Sequence, residues 1–401
     1  MTTVYLYDDA RARTFAPFAL TRPLGEMRAG AELVRRRWEM AFDAPAAGAV
    51  AAPHLATFDE PGAPPPAAGV LPARAVVVNT RCIVPLGWRA REVDVWTCGG
   101  EIAAVRLARD TTVAELAHGE APLESLGTVG SRVEEIAGRW VTAVWSFIAD
   151  LIAQLRDDIA VLGPLAAAAE PAGAIVIGAH HIYTEPEAII EPGVCFDVSA
   201  GPILVRRGAT VRAFTRLVGP CVIGTGATVL GDRVSGCSIG DGAMVRGELS
   251  ETVVLGQANK SHDGFVGHSY LGRWVNLGAG TITSNLKNTY GPVHMWTPNG
   301  ERDTGLLKLG TMFGDHVKTG IGLRLTTGSV VGAGSNVYGS RMPPKMVPPF
   351  SWGEGHALGG FRLDKFLEIA ERAMGRRGVT LGERGKRVLA EAHALAAGVS
   401  R

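Results

Sequence analysis

The sequence predicts an α/β domain followed by a parallel β-helix built from six-residue repeats, with helices at the C-terminal end. Aliphatic residues fall every six positions through much of the second half, as at Val205, Val211, Leu217, Ile223 and Val229. A run rich in Ala, Gly and Pro, from Gly163 to Gly173, separates that half from the first. Residues 1–165 instead show strand-like and helix-like patterns with no period of six.

Composition narrows the class. Of 401 residues, 46% are hydrophobic and 20% charged, which fits a globular chain of two or three domains rather than a disordered one. A formal net charge of +1 argues against a nucleic-acid surface. The stretch Met1–Asp9 has no basic run followed by an apolar one, so no secretory signal is expected. No apolar run approaches the ~20 residues of a membrane span. The cysteines at 82, 98, 195, 221 and 237 lack Cys-x-x-Cys spacing. Reduced thiols in a cytoplasmic protein are expected, and a zinc site built on them is not.

In the first domain, Val4, Tyr5, Leu6 and Tyr7 predict a strand that ends at Asp8-Asp9. Pro17 and Pro23 keep Arg13 to Pro23 extended or looped. A helix is expected from about Gly25 to Phe42, with Leu33, Val34, Trp38 and Phe42 on one face. Its Arg35-Arg36-Arg37 run reads as a solvated face. Residues 44–73, rich in Ala, Pro and Gly, read as a mobile surface loop. Val76–Asn79 and Val93–Thr97 read as strands, and Trp145–Leu162 as an amphipathic helix with Leu151, Leu155 and Ile159 in its stripe.

The β-helix is expected over residues 174–345. Neither an α-helix nor an alternating strand gives a period of six, whereas a short strand with one inward aliphatic residue and a Gly-assisted corner does. Phe313, Leu325, Val331 and Val337 form a second series, with Thr319 in its remaining slot. The register slips between Val229 and Ile239, and residues 284–311 hold no hexad, so they should loop out. The repeat ends near Pro343-Pro344. In residues 350–401, Leu363, Phe366, Leu367, Ala370 and Met374 predict one helix, and a capping box at Thr380–Glu383 a second. Both would cap the solenoid.

The chemistry concentrates in Asn259–Asn285. Phe265, Leu271 and Leu277 keep the period there, while His262, Asp263, His268, Asn276 and Asn285 are residues that a packed coil does not need. An imidazole can take a proton near neutrality. Backbone N–H groups beside Gly278-Ala279-Gly280 can hold an oxyanion, and the Asn285 amide can donate and accept at once.

Lys260-Ser-His262, Tyr270-Leu-Gly272 and Val275–Asn285 resemble the acetyltransferase half of the bifunctional GlmU family, which makes UDP-N-acetylglucosamine. Asp8-Asp9-Ala-Arg11, Leu20–Pro23 with Arg28 and Gly30, and Ser284–Tyr290 resemble a divergent, shorter form with a nucleotidyltransferase-like first half. The resemblance covers roughly residues 3–350. It implies a left-handed β-helix that forms a homotrimer with shared active sites and uses acetyl-CoA as acyl donor. It implies His262 as general base, Asn276 and Asn285 as contacts to the acceptor sugar and acyl-CoA, and the Ala279 N–H facing the thioester oxygen. His268, one hexad on, is read as a corner residue without a role.

Two departures bear on the substrates. Phe265 stands where this family carries a phosphate-binding tyrosine, and the expected upstream lysine is replaced by Arg246 or Lys260, with Lys287 as a further substrate contact. The first half lacks a Gly-rich phosphate loop. Arg13, Arg22 and Arg28 would supply guanidinium contacts to the nucleotide in its place, with Asn79 beside them, and Asp8 or Asp9 would hold Mg²⁺.

The expected function is therefore acetyl-CoA-dependent N-acetyl transfer to an amino-sugar phosphate, joined to nucleotidyl transfer that makes a nucleotide sugar and pyrophosphate. The alternatives are nucleotidyl transfer alone with the β-helix for trimerisation or regulation, a non-catalytic trimeric scaffold, and a metal site like that of carbonic anhydrases with this fold. For the last, His262 and His268 are candidates, but no third histidine has matching spacing.

Overall fold

A computed structural model of the chain describes residues 2–127, 130–168 and 171–399. It divides into two compact units, Met1–Val144 with Gly382–Ala392, and Trp145–Leu381 with His393–Arg401. No helix among the described residues is long and apolar enough to cross a membrane.

The first unit is built on a six-stranded sheet. Strand β1 (Val4–Tyr7) lies between β2 (Ala46–Val50) and β3 (Val76–Asn79), parallel to both. Next come β5 (Glu101–Arg106), antiparallel to β3, and β4 (Val95–Cys98), antiparallel to β5, with β6 (Val133–Glu135) parallel to β4 at the edge. All four residues of β3 are buried, as expected of a continuous apolar run covered on both faces. One-turn helix α2 (Val113–Leu116) starts at a reciprocal cap between Thr112 and Glu115.

Three expectations for this unit are corrected. The Ala-rich segment is not all loop, because Ala46–Val50 forms β2 at the edge of the sheet. Its small side chains let the following loop approach closely, and a Cβ on Gly48 would lie 3.2 Å from Ala67. The helix expected from Gly25 begins only at Val34, as α1 (Val34–Phe42). Before it, Arg28–Ala29 and Glu32–Leu33 pair across Gly30, whose φ of +57° a Cβ would oppose. The Arg35–Arg37 run is not a solvated face. Arg35 is buried against Glu26 (2.6 Å) and Glu39 (3.1 Å), and Arg37 against the carbonyls of Ala29 (2.6 Å) and Val84 (3.2 Å). Charged groups tolerate burial when paired in this way. Only Arg36 reaches out, while still bonding Glu39.

In the second unit, α3 (Leu151–Leu162) buries Leu151, Leu155 and Ile159, and Phe147 just before it meets Tyr270 edge-on at 5.8 Å. The rest is a three-sided parallel β-helix. In chain order, its first face carries a ten-stranded sheet running to Met346–Val347. The second face runs from Ile189–Ile190 through Asn259–Lys260 and Asn276 to Lys318–Thr319, Asn336–Tyr338 and Ser351–Glu354. The third runs from Ile175–Ile177 to Phe265–Gly267. Val205, Val211, Leu217, Ile223 and Val229 all point into the core, where dense aliphatic packing is the main stabilising term. Thr319 fills its inward slot by bonding the Thr281 hydroxyl at 2.8 Å.

The register slip has a plain form. Leu204 pairs with Val222, eighteen residues on, whereas Val222 pairs with Ser238, only sixteen on. The insertion leaves the solenoid after Asn285 as a hairpin, His294–Thr297 with Gly300–Asp303, and the ladder resumes at Met312. The coils continue past Pro343-Pro344 to Ser351–Glu354. Helix α4 (Leu363–Gly375) packs Phe366 edge-on against Phe350 at 5.0 Å. The expectation that a second helix also caps the solenoid is corrected: α5 (Glu383–Val399) belongs up to Ala392 to the first unit, where Val388 packs with Leu55 and Phe58.

Candidate functional site

At the corner between the third and first faces, successive coils place Glu251, His268 and Asn285. Glu251 and His268 both hold a left-handed corner conformation, with φ of 44° and 49°. His268 is buried, with one ring nitrogen, Nδ1, 2.9 Å from the Asn285 amide nitrogen and the other, Nε2, 3.5 Å from the Glu251 carboxylate. The hydrogen bond to His268 holds Glu251 below the usual carboxylate range, against the opposing effect of burial. With Asn285 donating to Nδ1 and Nε2–H facing Glu251, Nδ1 is the nitrogen with a lone pair to offer. A carboxylate behind an imidazole favours that tautomer and the imidazolium that follows.

The surroundings fit a small site. A Cβ on Gly267 would lie 2.4 Å from the Phe265 ring and 2.7 Å from the Asn285 amide, so both side chains close over this glycine. The Leu309 N–H donates to the Asn285 carbonyl (2.9 Å), and Leu286 bridges Lys308, which ties the root of the insertion to the corner. Lys308 is exposed, and its charge is one of those that favour the Glu251 carboxylate.

His262 sits elsewhere, exposed at the corner between the second and third faces. Ala279 lies on the same corner one coil on, where the Gly280 N–H donates to the Asp263 carbonyl (3.2 Å). The Ala279 carbonyl accepts from Gly322 (2.7 Å), while its own N–H has no acceptor among the described residues. Asn276 is nearby on the second face, its side chain bonded to Asn259 at 2.7 Å. One side of the solenoid separates this corner from Asn285. A side is six residues, roughly 15–20 Å at 3.2–3.4 Å per extended residue. Within one chain, then, His262 and Ala279 share a corner apart from Asn285, and Asn285 meets His268.

The other expected substrate contacts, Lys260, Arg246 and Lys287, have partners within the chain. Lys260 occupies the inward column after Val211, Val229 and Val245. It is 1% exposed, and its ammonium donates to the carbonyls of His262 (2.5 Å) and Asp263 (3.1 Å). Lys260 therefore clamps the corner that carries His262 and has no reach to a ligand. Arg246 pairs with Asp232 at 3.2 Å, and Lys287 donates to the Pro292 carbonyl at 2.7 Å within the insertion.

In the first unit, Asp8 and Asp9 do stand at the carboxyl end of β1, where open α/β sheets bind ligands. Asp8 is buried, accepting from the Leu24 N–H (2.9 Å) and the Thr80 hydroxyl (2.5 Å), and burial pushes its pKa up to about 6. Asp9 is paired with Arg81 (2.6 Å) and also accepts from Asn79 (2.9 Å) and the Ala12 N–H (2.9 Å). Among the described residues no group of three or more His, Cys, Asp or Glu side chains is placed to hold a metal. This pair does not fit the expected Mg²⁺.

The arginines also turn inward. Arg13 donates to the carbonyls of Asp8 (2.9 Å), Ala117 and Leu116 (3.4 Å). Arg22 forms a two-pronged pair with Glu60 (2.8 and 3.1 Å), and Arg28 bonds the Ala31 carbonyl (2.5 Å). The nucleotide contacts expected of Arg13, Arg22, Arg28 and Asn79 are thus replaced by contacts that hold the loop in place.

Residue spacing gave no sign of Glu251 and Lys308. Coil lengths vary after Val229, so only the register shows which corner residues stack. A weaker signal was present for His268, which lies two residues before Tyr270-Leu-Gly272.

Residues 4–164 match the family model described as sugar nucleotidyl transferase. The bifunctional sugar-1-phosphate nucleotidylyltransferase/acetyltransferase of Sulfurisphaera tokodaii is 33% identical over 91 residues, 23% of this chain and 23% of that protein. The bifunctional protein GlmU of Methanococcus maripaludis is 35% identical over 88 residues, 22% of this chain and 21% of that one. GlmU of Desulfitobacterium hafniense is 30% identical over 193 residues, 41% and 39% of the two chains. The chain thus spans well under two thirds of the length of these curated relatives. A solved Arabidopsis UDP-N-acetylglucosamine acyltransferase aligns with a TM-score of 0.30 and 11% identity, over 52% of this chain and 77% of that one.

Proposed function

We propose that the β-helix transfers an acetyl group from acetyl-CoA to the amine of an amino-sugar phosphate, with His268 as general base. The observation that carries this reading is the Glu251–His268–Asn285 array, in which one imidazole has a carboxylate on one nitrogen and an amide on the other. A substrate amine replaces the Asn285 amide at Nδ1. Its nitrogen attacks the thioester carbonyl, Nδ1 takes the amine proton, and the tetrahedral adduct collapses to an amide as the imidazolium returns that proton to the departing CoA thiolate, which leaves as the thiol. Glu251 stabilises the imidazolium formed, and Asn285 turns its amide to the acceptor. Exposed Lys308 offers a charge for the sugar phosphate, in place of the hydroxyl that Phe265 lacks. Assembly as a homotrimer belongs to this proposal, because the Ala279 N–H and His268 lie on different corners of one chain and a neighbouring copy can bring them together. The names and matched segments of the curated relatives support the same chemistry.

Thiol release from acetyl-CoA in the presence of amino-sugar 1-phosphates tests the reading. Acetylation by the wild type and its loss in His268→Ala are expected. Equal rates in the two proteins would overturn it.

Nucleotidyl transfer by the first unit is a second reading, supported by the match over residues 4–164. The inward-facing Asp8, Arg13 and Arg22 support a retained fold with altered phosphate handling. Pyrophosphate release with each nucleoside triphosphate and sugar 1-phosphate distinguishes the two.

A further inference from the structure

Two thiols of the first unit meet at a place that none of this chemistry uses. Cys98 ends β4, and Cys82 lies just past β3 in a short strand, where Cys82 and Ile83 pair antiparallel with Trp140 and Arg139. Both thiols are free and buried, and the Cys82 S–H donates to the Cys98 sulfur. Gly138 lies over the pair, where a Cβ would be 3.3 Å from each sulfur and 3.0 Å from the Ile83 carbonyl oxygen. Only bare backbone fits so close, and the Gly138 N–H also donates to the Cys98 sulfur.

The two thiols are unequal. The hydrogen bond from Cys82 brings Cys98 down to about 7, against burial and the Glu135 and Glu101 carboxylates. The same contact, with burial, pushes Cys82 well above the usual thiol range, and Arg81 only partly offsets this. Cys98 is followed by the exposed turn Gly99-Gly100, with φ of 57° and 80° and open space where each Cβ would stand. The more acidic thiol is therefore the one nearer the surface, the arrangement that makes a cysteine reactive. The pair is also linked to the carboxyl end of β1. Trp140 Nε1 donates to the Cys98 carbonyl (2.8 Å), and the Arg81 guanidinium lies 5.0 Å from the centre of the Trp140 ring while pairing with Asp9 at 2.6 Å.

We propose that Cys98 and Cys82 are a redox modification site, which a peroxide converts reversibly to a disulfide. The Cys98 thiolate attacks one peroxide oxygen, an S–O bond forms as the O–O bond breaks, and the departing hydroxide takes up a proton and leaves as water. Cys82 then gives up its proton and attacks the sulfenic sulfur. The S–S bond forms as the S–O bond breaks, and hydroxide leaves with that proton as a second water. Two thiols are oxidised to one disulfide and the peroxide is reduced to two waters. A dithiol reverses the change by exchange. Disulfides that form in reducing compartments are mostly of this transient kind. Through Trp140 and Arg81, closing the bond acts on the Arg81–Asp9 pair. The thiols belong to the first unit and His268 to the second, so this proposal does not depend on the acetyl-transfer reading.

Thiol counting tests it, on the full chain exposed to a small excess of hydrogen peroxide, quenched and then unfolded. The five thiols should fall to three as two enter the bond, and dithiothreitol should restore all five. Mass spectrometry of the digested protein should find Cys82 joined to Cys98. Cys82→Ser should stop at a sulfenic acid on Cys98 that dimedone traps, whereas Cys98→Ser should be labelled at Cys82 at least ~10-fold more slowly. Circular dichroism and melting curves confirm that the variants fold, and the wild-type thiol count decides the matter if they do not. Five thiols surviving peroxide, a disulfide that leaves out Cys82 or Cys98, or equal labelling rates in the two variants overturns the proposal. His268→Ala should form the disulfide at the wild-type rate, so loss of acetyl transfer and loss of the thiol pair are read separately.

Discussion

The Asn285 amide lies 2.9 Å from the His268 imidazole although seventeen residues separate them, because one coil of the β-helix brings each corner over the last. The same stacking puts Glu251 on the other side of the ring. Two histidines six residues apart therefore end on different corners, and only one gains polar partners on both nitrogens.

The first prediction separates these histidines. His268→Ala should lower kcat/KM for acetyl transfer by ~10²–10⁴-fold, the usual contribution of a positioned general base. His262→Ala should lose less than ~3-fold unless a neighbouring copy draws that ring into the site. A larger loss in His262→Ala than in His268→Ala would reverse the assignment.

Gly267→Ala should damage the site more than the fold. The nearest atoms to the added methyl are the ends of the Phe265 and Asn285 side chains, which can move aside at a cost of about 1 kcal/mol. Moving Asn285 breaks its contact with His268, so activity should drop ~10-fold or more while the melting temperature falls by only a few degrees. A variant with wild-type turnover would show that the Asn285 position is not needed.

Asp8 gives a pH signature. Its pKa rises from an ordinary 3.8 to about 6 through burial, so the native state holds the proton more tightly than the unfolded chain. The stability this contributes is complete below pH 3.8 and is lost as pH climbs through about 6. Asp8→Asn should be more stable than wild type by about 1–3 kcal/mol at pH 7.5, and close to it at pH 4. Urea unfolding at the two pH values checks this, and a less stable variant at pH 7.5 would contradict it.

Lys260 has the opposite sign. Burial lowers its pKa from 10.5 to about 8, so the unfolded chain binds the proton more tightly and the wild type gains stability as pH rises from about 8 towards 10.5. Lys260→Met lacks this gain. The stability of wild type relative to the variant should therefore grow by about 1–2 kcal/mol between pH 7.5 and 9.5, as read from denaturation midpoints. A constant difference would mean that the ammonium is better solvated than its position among valines implies.

Much of the solenoid was legible because its cause is local. One inward aliphatic residue per six and a small residue at each corner are visible without tertiary information, as at Val205, Val211 and Leu217. The insertion after Asn285 was legible for the same reason, through loss of the period. Strand β2 was not, since Ala46–Val50 has the composition of a linker and becomes a strand only because small side chains fit beside β1 and the 63–67 loop. The arginine run was misleading for a similar reason, because charge in sequence does not say whether Glu26 and Glu39 will be near.

By itself the sequence determined the β-helix, its insertion and the segment Asn259–Asn285 that holds His268 and Asn285 of the proposed site, because a period of six and a polar interruption of it need only neighbouring residues to exist. Which histidine meets Asn285, why Lys260 points inward and why Arg13, Arg22 and Asp8 are closed off were decided by the tertiary structure. These depend on how many residues each coil uses and on which groups meet after burial, and a missing residue in one coil moves every later side chain to a new neighbour.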